Sequence, residues 1–377
     1  MKSGLIVDDV LIIGAGAAGL AAARALSLAG VAVRILEARE RIGGRVLTLH
    51  PSGASLPVEL GVEFMHGRPR ELLEVFSADG LHAIESDFTN DRPFSEFSGS
   101  ETAARTIPAC RSFRVREGFD SVCEYLLRSA AGARLNLKSI VTEVRWRPGR
   151  VAVLTRNAAS ERVFRARRLI VTLPLGVFKA PIGTEGTVRF LPPLPEKQMA
   201  ASALEMGNIF KIVFKFREPF WRAQPRFMFE QASSRAIQLW YDTFPLNSGL
   251  LTGLTAGPRA TALLSNGREH AVEQALSCLA GVTGVGVDLL AEWLDCWYFH
   301  DWQSDPFSRG AFSYVVAGGL AEQKKLAATL ADTLYFAGEA THCEGLNGTV
   351  EGAIQTGQRA AQAILEKLQL GARRSAA

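Results

Sequence analysis

The 377-residue chain is poor in cysteine and has almost no excess of either charge, and each shortage removes a class of function. Its five cysteines, Cys110, Cys123, Cys278, Cys296 and Cys343, are odd in number, far apart and without a C-x-x-C pair. They offer neither a disulfide framework nor a zinc site, so no metal is expected and a reducing, cytoplasmic setting is. A formal net charge of +4, from 42 basic and 38 acidic side chains, is too balanced to call for nucleic acid or an anionic membrane. No apolar run reaches the length of a membrane span. The apolar stretch near the start is preceded by Asp8 and Asp9 and interrupted by Arg24, unlike a secretory leader. There is no internal repeat, and the only biased segment is a polar end, "GARRSAA" (371–377), expected to fray. What is present is an ordinary globular composition, 47% hydrophobic and 21% charged, long enough for two cores. The oligomeric state is left open.

The chain opens with "DDVLIIGAGAAGLAAARALSLAGVAVRILE". Val10 to Ile13 form a short unbroken apolar run, suited to a strand buried on both faces of a parallel sheet. It ends in Gly14-Ala15-Gly16-Ala17-Ala18-Gly19, a G-x-G-x-x-G pattern. Gly14 permits the turn, Gly16 lets backbone approach a pyrophosphate, and Gly19 allows a helix to lie close to the strand. The helix, from about Ala18 to Ala29, then offers its first amides to phosphate. A second strand, "VAVRILE", ends in Glu37, where a carboxylate can bind a ribose diol. The continuation, "EARERIGGRV", carries Ala38, Arg39, Gly43, Gly44 and Arg45. Paired glycines let backbone lie against a ligand, and Arg45 presents a planar charged fork suited to pyrophosphate. These features predict an α/β, Rossmann-like dinucleotide-binding domain.

From "EARERIGGRV" onward the chain resembles the flavin-dependent amine oxidases, the family of monoamine oxidases, polyamine oxidases and lysine-specific histone demethylases. The resemblance extends through "VELGVEFMHG", "REGFDSVCEYLLRSAAGARLNLKSIVTEVRW", "LIVTLPLGVFK", "HDWQSDPFSRGAFSY" and "LYFAGEATHCEGLNGTVEGAIQTGQRAA", and so spans most of the chain. It implies FAD as cofactor, in a discontinuous GR2-type domain built from 1–68, 117–182 and 309–370. An interleaved α+β substrate domain, 69–116 and 183–308, would hold a mixed or antiparallel sheet. In that domain "IFKIVFKF" alternates Phe210, Ile212, Phe214 and Phe216 with Lys211, Val213 and Lys215, the period-two pattern of a strand with unlike faces.

The resemblance assigns further residues. Gly61, Val62, Glu63 and Phe64 would run beside the flavin ring, Val141 would touch the adenine side, and Trp302 would lie on the flavin side. Gly338 and Glu339 would approach the flavin chain, with Thr349 and Val350 opening a helix aimed at the isoalloxazine. Lys211, in "MGNIFKIVF", corresponds to the lysine that holds a water beside flavin N5 and serves reoxidation by oxygen. Phe312 and Thr349 take the positions of the family's two substrate-flanking rings, only one being aromatic here. His66 corresponds to a histidine that bonds substrate nitrogen in animal polyamine oxidases. Ala311 stands where monoamine oxidases carry a flavin-linking cysteine, which implies non-covalent FAD. Asp87 and Glu344 are further acids able to attract a distal ammonium.

The implied reaction is oxidation of a C–N bond in a primary or secondary amine, a polyamine being favoured over small aryl amines because of Thr349. Hydride passes to flavin N5, the imine is hydrolysed, and O2 reoxidises the flavin to give H2O2. The competing readings are an FAD-dependent L-amino acid oxidase, a carotenoid- or porphyrinogen-type enzyme acting on C–C bonds, and a flavin-bound scaffold with little turnover.

Overall fold

The computed structural model describes residues 8–86, 111–157, 160–223, 228–230 and 236–376. Asp87 and Cys110 lie outside them. Two compact units form, one from 1–46, 120–207 and 304–377, the other from 47–119 and 208–303.

The first unit is built on a parallel sheet. The strand Asp8–Ile13 lies between Val33–Leu36 and the end of Glu161–Val171, with Arg134–Asn136 added outside Val33–Leu36 and Leu334–Phe336 added on Val171. Apolar residues on both faces explain the unbroken runs. Val10, Leu11, Ile12, Ile35, Leu169 and Ile170 are all fully buried, and only an element covered on both sides can use such a sequence. Glu161–Val171 also pairs antiparallel with Arg150–Arg156, which pairs with Ile140–Arg147. The helix Ala17–Leu28 follows the first strand, and its alanine-rich face packs against the last helix, Val350–Ala376. Tyr335 and Phe336 thus belong to the same sheet as the first strand, as the late glycine-rich stretch implied.

The second unit centres on an antiparallel sheet in the order Met228–Glu230, Leu239–Asp242, Leu250–Ala256, Ile209–Phe216, Leu294–Phe299. A small sheet of Met65–His66, Ser112–Val115 and Ala83–Ser86 belongs to the same unit.

Three expectations change. The unit boundary falls after Val46 and not at 68, because Leu47, Leu49, Leu56, Val58 and Leu60 pack with Val213 and Leu250. Residues 183–207 and 304–308 likewise join the first unit, where Leu204–Gly207 pairs with Phe312–Val315. The strand Ile209–Phe216 has two covered faces. Phe210, Ile212, Phe214 and Phe216 enter one core, while Lys211 and Val213, on the other side, are only 6% and 3% exposed. The polar end is helical and not irregular: the last helix continues through Ala376, alanine and arginine being good helix formers.

Candidate functional site

In the first unit two glycine turns stack on each other. Gly43 N–H donates to the Ala15 carbonyl at 2.8 Å, joining the turn after the first strand to the turn after Glu37. The glycines there are required by space. A Cβ on Gly19 would sit 2.0 Å from the Gly14 carbonyl oxygen, and one on Gly43, where φ is +93°, would sit 2.6 Å from that of Val46. At Gly16 the nearest atom to such a Cβ is 3.9 Å away. Backbone therefore lines an open cradle where the helix Ala17–Leu28 begins. That helix has no side-chain cap and no acid in its first turn, so its first amides and positive end suit an anion.

Glu37 is buried, and its carboxylate accepts from Ala15 N at 2.8 Å and Arg39 N at 2.9 Å. Arg39 and Arg45, both read as cofactor ligands, are each paired with a carboxylate. Arg39 Nη2 lies 2.7 Å from Asp305, with its guanidinium over the Phe307 ring. Arg45 Nη1 lies 2.8 Å from Glu339 and also donates to the Ala311 carbonyl. Glu339 further accepts from Ser313 Oγ at 2.5 Å and Gly348 N at 2.8 Å. Burial pushes the Glu339 carboxyl up, but Arg45, Ser313 and Gly348 outweigh it and hold the group below the ordinary carboxylate range. Gly338 N–H is bound by Thr356 Oγ1, and Ala38 is half-buried. Val350 is buried at the start of the last helix, and Val141 is a core residue of its sheet.

Phe312 is 37% exposed and lies against glycine backbone, with ring atoms 3.4 Å from a Cβ position at Gly207 and 3.2 Å from one at Gly348. Thr349, read as its partner, caps the last helix: its hydroxyl donates to the Leu346 carbonyl at 2.8 Å and accepts from Gly352 N at 3.0 Å. Glu344 is exposed. Arg41, not singled out from sequence, holds the Gly43–Gly44 turn by donating to the carbonyls of Ile42, Gly44 and Val46. Arg359 does the same for Phe336 and Thr341. Only a G-G-R pattern within reach marked the first, and nothing local marked the second.

In the second unit Lys211 sits in a buried ionic cluster. Its Nζ lies 2.7 Å from Glu63 Oε2 and donates to the Gly61 carbonyl at 3.2 Å. Glu63 also accepts from Arg114 Nε at 3.0 Å and the Tyr241 hydroxyl at 2.7 Å. Phe64 packs edge-on to Tyr241, and the Arg114 guanidinium lies 4.7 Å over the Phe64 ring. Burial alone would raise the Glu63 carboxyl, but Lys211 and Arg114 bring it below its ordinary value, while burial and the Glu63 charge raise Tyr241 well above its own. Glu59, half-buried, is pushed up to about 8 by desolvation despite hydrogen bonds from Thr48 and Phe119 N. Val62 is half-buried between them in sequence. Trp302 is buried, donates to the Leu60 carbonyl at 2.9 Å and meets the His300 ring at 4.2 Å between centroids with the planes tilted by 59°. His66 is exposed, 3.0 Å from Ser112 Oγ, and partial desolvation lowers its imidazole pKa. Sequence reading chose Lys211 and Glu63 separately and missed Arg114, Tyr241 and Glu59.

A family model described as flavin containing amine oxidoreductase matches residues 17–101 and 85–365, and the chain belongs to that family. Lysine-specific histone demethylase 1 homolog 2 of Oryza sativa subsp. japonica is 27% identical, over 96% of this chain and 57% of its own. Polyamine oxidase 3 of the same organism is 25% identical, over 94% and 88%. A solved putrescine oxidase bound to putrescine shares the fold, with a TM-score of 0.77 at 21% identity, covering 96% of this chain and 99% of that one. The chain spans about half the length of the rice and human demethylases it matches, 57% and 53%. The cofactor is FAD, and the cradle fits it: the turns are closed by contacts no side chain could enter, and the space before Gly16 is open.

Proposed function

We propose that the chain is an FAD-dependent amine oxidase acting on a C–N bond of a primary or secondary amine, with a polyamine favoured. The observation that carries the reading is the burial of Lys211, an ammonium on a strand whose alternation would otherwise place it in water, held by Glu63 at 2.7 Å. Polyamine oxidases from rice and Arabidopsis thaliana match over 94% of this chain, which favours a polyamine among amines.

Gly14, Gly16 and the amides of Ala17, Ala18 and Gly19 would take the pyrophosphate, and Glu37 the ribose, with Ala38, Arg39, Gly43, Gly44 and Arg45 completing that wall. Gly338, Glu339, Thr349 and Val350 would support the flavin end, as would Gly61 to Phe64 and Trp302, and Val141 would touch the adenine side. Ala311 offers no thiol, so the cofactor is held without a covalent bond. When bound, FAD supplies the acceptor for hydride from the amine α-carbon and returns the electrons to O2. Lys211 would hold a water by its N–H, Phe312 would flank the substrate nitrogen, and His66 would bond it. Oxidation requires the amine in its neutral form, which apolar walls favour over an ammonium.

A second reading, oxidation of an N-methyl-lysine side chain, is favoured by the demethylase relatives. The deciding experiment is anaerobic mixing of the FAD-loaded protein with spermine, spermidine, putrescine, aryl monoamines, L-amino acids and a methyl-lysine peptide, while following visible flavin absorbance. Bleaching by a polyamine, with H2O2 on admitting air, is expected. Bleaching by the peptide alone would select the second reading, and bleaching by none would move the assignment to C–C substrates.

A further inference from the structure

We propose that Glu63 is a positioning residue for Lys211, its carboxylate fixing where the ammonium sits and which way its N–H bonds point. The inference rests on the amine-oxidase reading of Lys211. A lysine reaches its ammonium through a flexible four-carbon stem and has no preferred terminal position of its own. Here two acceptors set that position, Glu63 Oε2 at 2.7 Å and the Gly61 carbonyl at 3.2 Å. Glu63 is itself held, by Arg114 Nε at 3.0 Å on Oε1 and by the Tyr241 hydroxyl at 2.7 Å on Oε2. Arg114 is anchored in turn by the carbonyls of Asp242 at 2.6 Å and Phe244 at 3.3 Å. The chain of contacts runs from two sheets of the second unit to one nitrogen. An ammonium has three donors. With two directed to Glu63 and Gly61, the direction of the third follows, and a water bound there inherits it.

Charge reinforces geometry. The groups facing Glu63 are Lys211, Arg114, Tyr241 and Glu59. Arg114 cannot lose its proton, and Glu59, raised to about 8 by burial, is mostly a neutral acid at pH 7. Glu63 is the anion opposite two buried cations. Removing its charge leaves two buried cations without their counter-ion, which is costly in so enclosed a site.

The test uses FAD-loaded wild type, Glu63→Gln, Lys211→Met and the double variant, reduced by light with oxalate as the electron donor in place of any amine, and then mixed with O2. Glu63→Gln is expected to slow reoxidation by about tenfold or more, as misplacement of a supporting group does. In the Lys211→Met background the same change should add nothing, and Glu63→Asp should restore part of the rate. Thermal unfolding of the four apoproteins gives an independent readout: the double variant should lose less than the sum of the single losses. Reoxidation of Glu63→Gln within about twofold of wild type at every pH would overturn the inference, since a positioning role predicts far more. So would a slowing that multiplies with that of Lys211→Met, or a Lys211→Met variant as fast as wild type. Because light replaces the amine, failure of every amine to reduce the flavin would sink the amine reading alone.

Discussion

Glu59 lies four positions before Glu63 and is half-buried, with its carboxyl bound by Thr48 Oγ1 and Phe119 N, each at 2.7 Å. Its folded pKa of about 8 stands above the ordinary value of 4.5. Between those values the folded protein keeps a proton that the unfolded chain releases, so this group lowers stability as pH rises across that window. Glu59→Gln should remove the dependence and raise the unfolding midpoint relative to wild type at pH 9, with a smaller difference at pH 5, measured by calorimetry. Arg45 poses the opposite case, a cation whose removal strands the buried Glu339 charge. Breaking a buried pair typically costs about 3–5 kcal/mol, and partial exposure of Arg45, 23% of its side chain, argues for the lower end. Arg45→Met should lower the unfolding midpoint and the flavin content of purified protein together. The arginine was legible from its glycine-rich setting; its partner was not. Glu339 is 294 positions away, and Asp305 is 266 from Arg39. A local pattern shows that a charge is wanted and cannot show what answers it.

Helix ends account for two residues, one whose capping role local reading did not show and one that it passed over. Thr349 caps Val350–Ala376, so Thr349→Ala should cost about 1 kcal/mol and Thr349→Ser little, as caps generally do. Chemical denaturation of the two variants separates this role from substrate contact, which would show in KM. Lys197 closes the end of the helix Leu320–Ala327 by donating to the carbonyls of Lys325, Leu326 and Ala328, with its ammonium 4.3 Å over the Phe336 ring. Lys197→Met should destabilise by about 2–3 kcal/mol through unmet buried carbonyls, read from the same denaturation curves. The strand Ile209–Phe216 shows where periodicity stops being informative. Alternation correctly gave the strand and its phenylalanine face. It could not reveal that the lysine face is covered too, because the cover comes from Val58 and Leu60 in a distant part of the sequence. The first strand, turn and helix were legible in full because each step depends on its sequence neighbours.

Across the first unit, the opening and closing segments of the chain are neighbours. The helix Ala17–Leu28 packs on Val350–Ala376, and a Cβ on Gly357 would come within 2.1 Å of the Ala18 carbonyl oxygen. Gly357→Ala should therefore push the two helices apart, lower the unfolding midpoint and reduce bound FAD, overpacking of this kind costing about 1–3 kcal/mol. The strand Leu334–Phe336 completes the same sheet by pairing with Leu169–Val171, which in turn pairs with the first strand. On the ribosome, where the chain emerges from its beginning, the dinucleotide cradle is thus made first and braced last. The face of the helix Ala17–Leu28 that meets Val350–Ala376 waits for its cover through more than three hundred residues of synthesis, so the unit is completed only once that last helix has been made. A nascent chain stalled before its last helix would be a client for chaperones rather than an early flavoprotein.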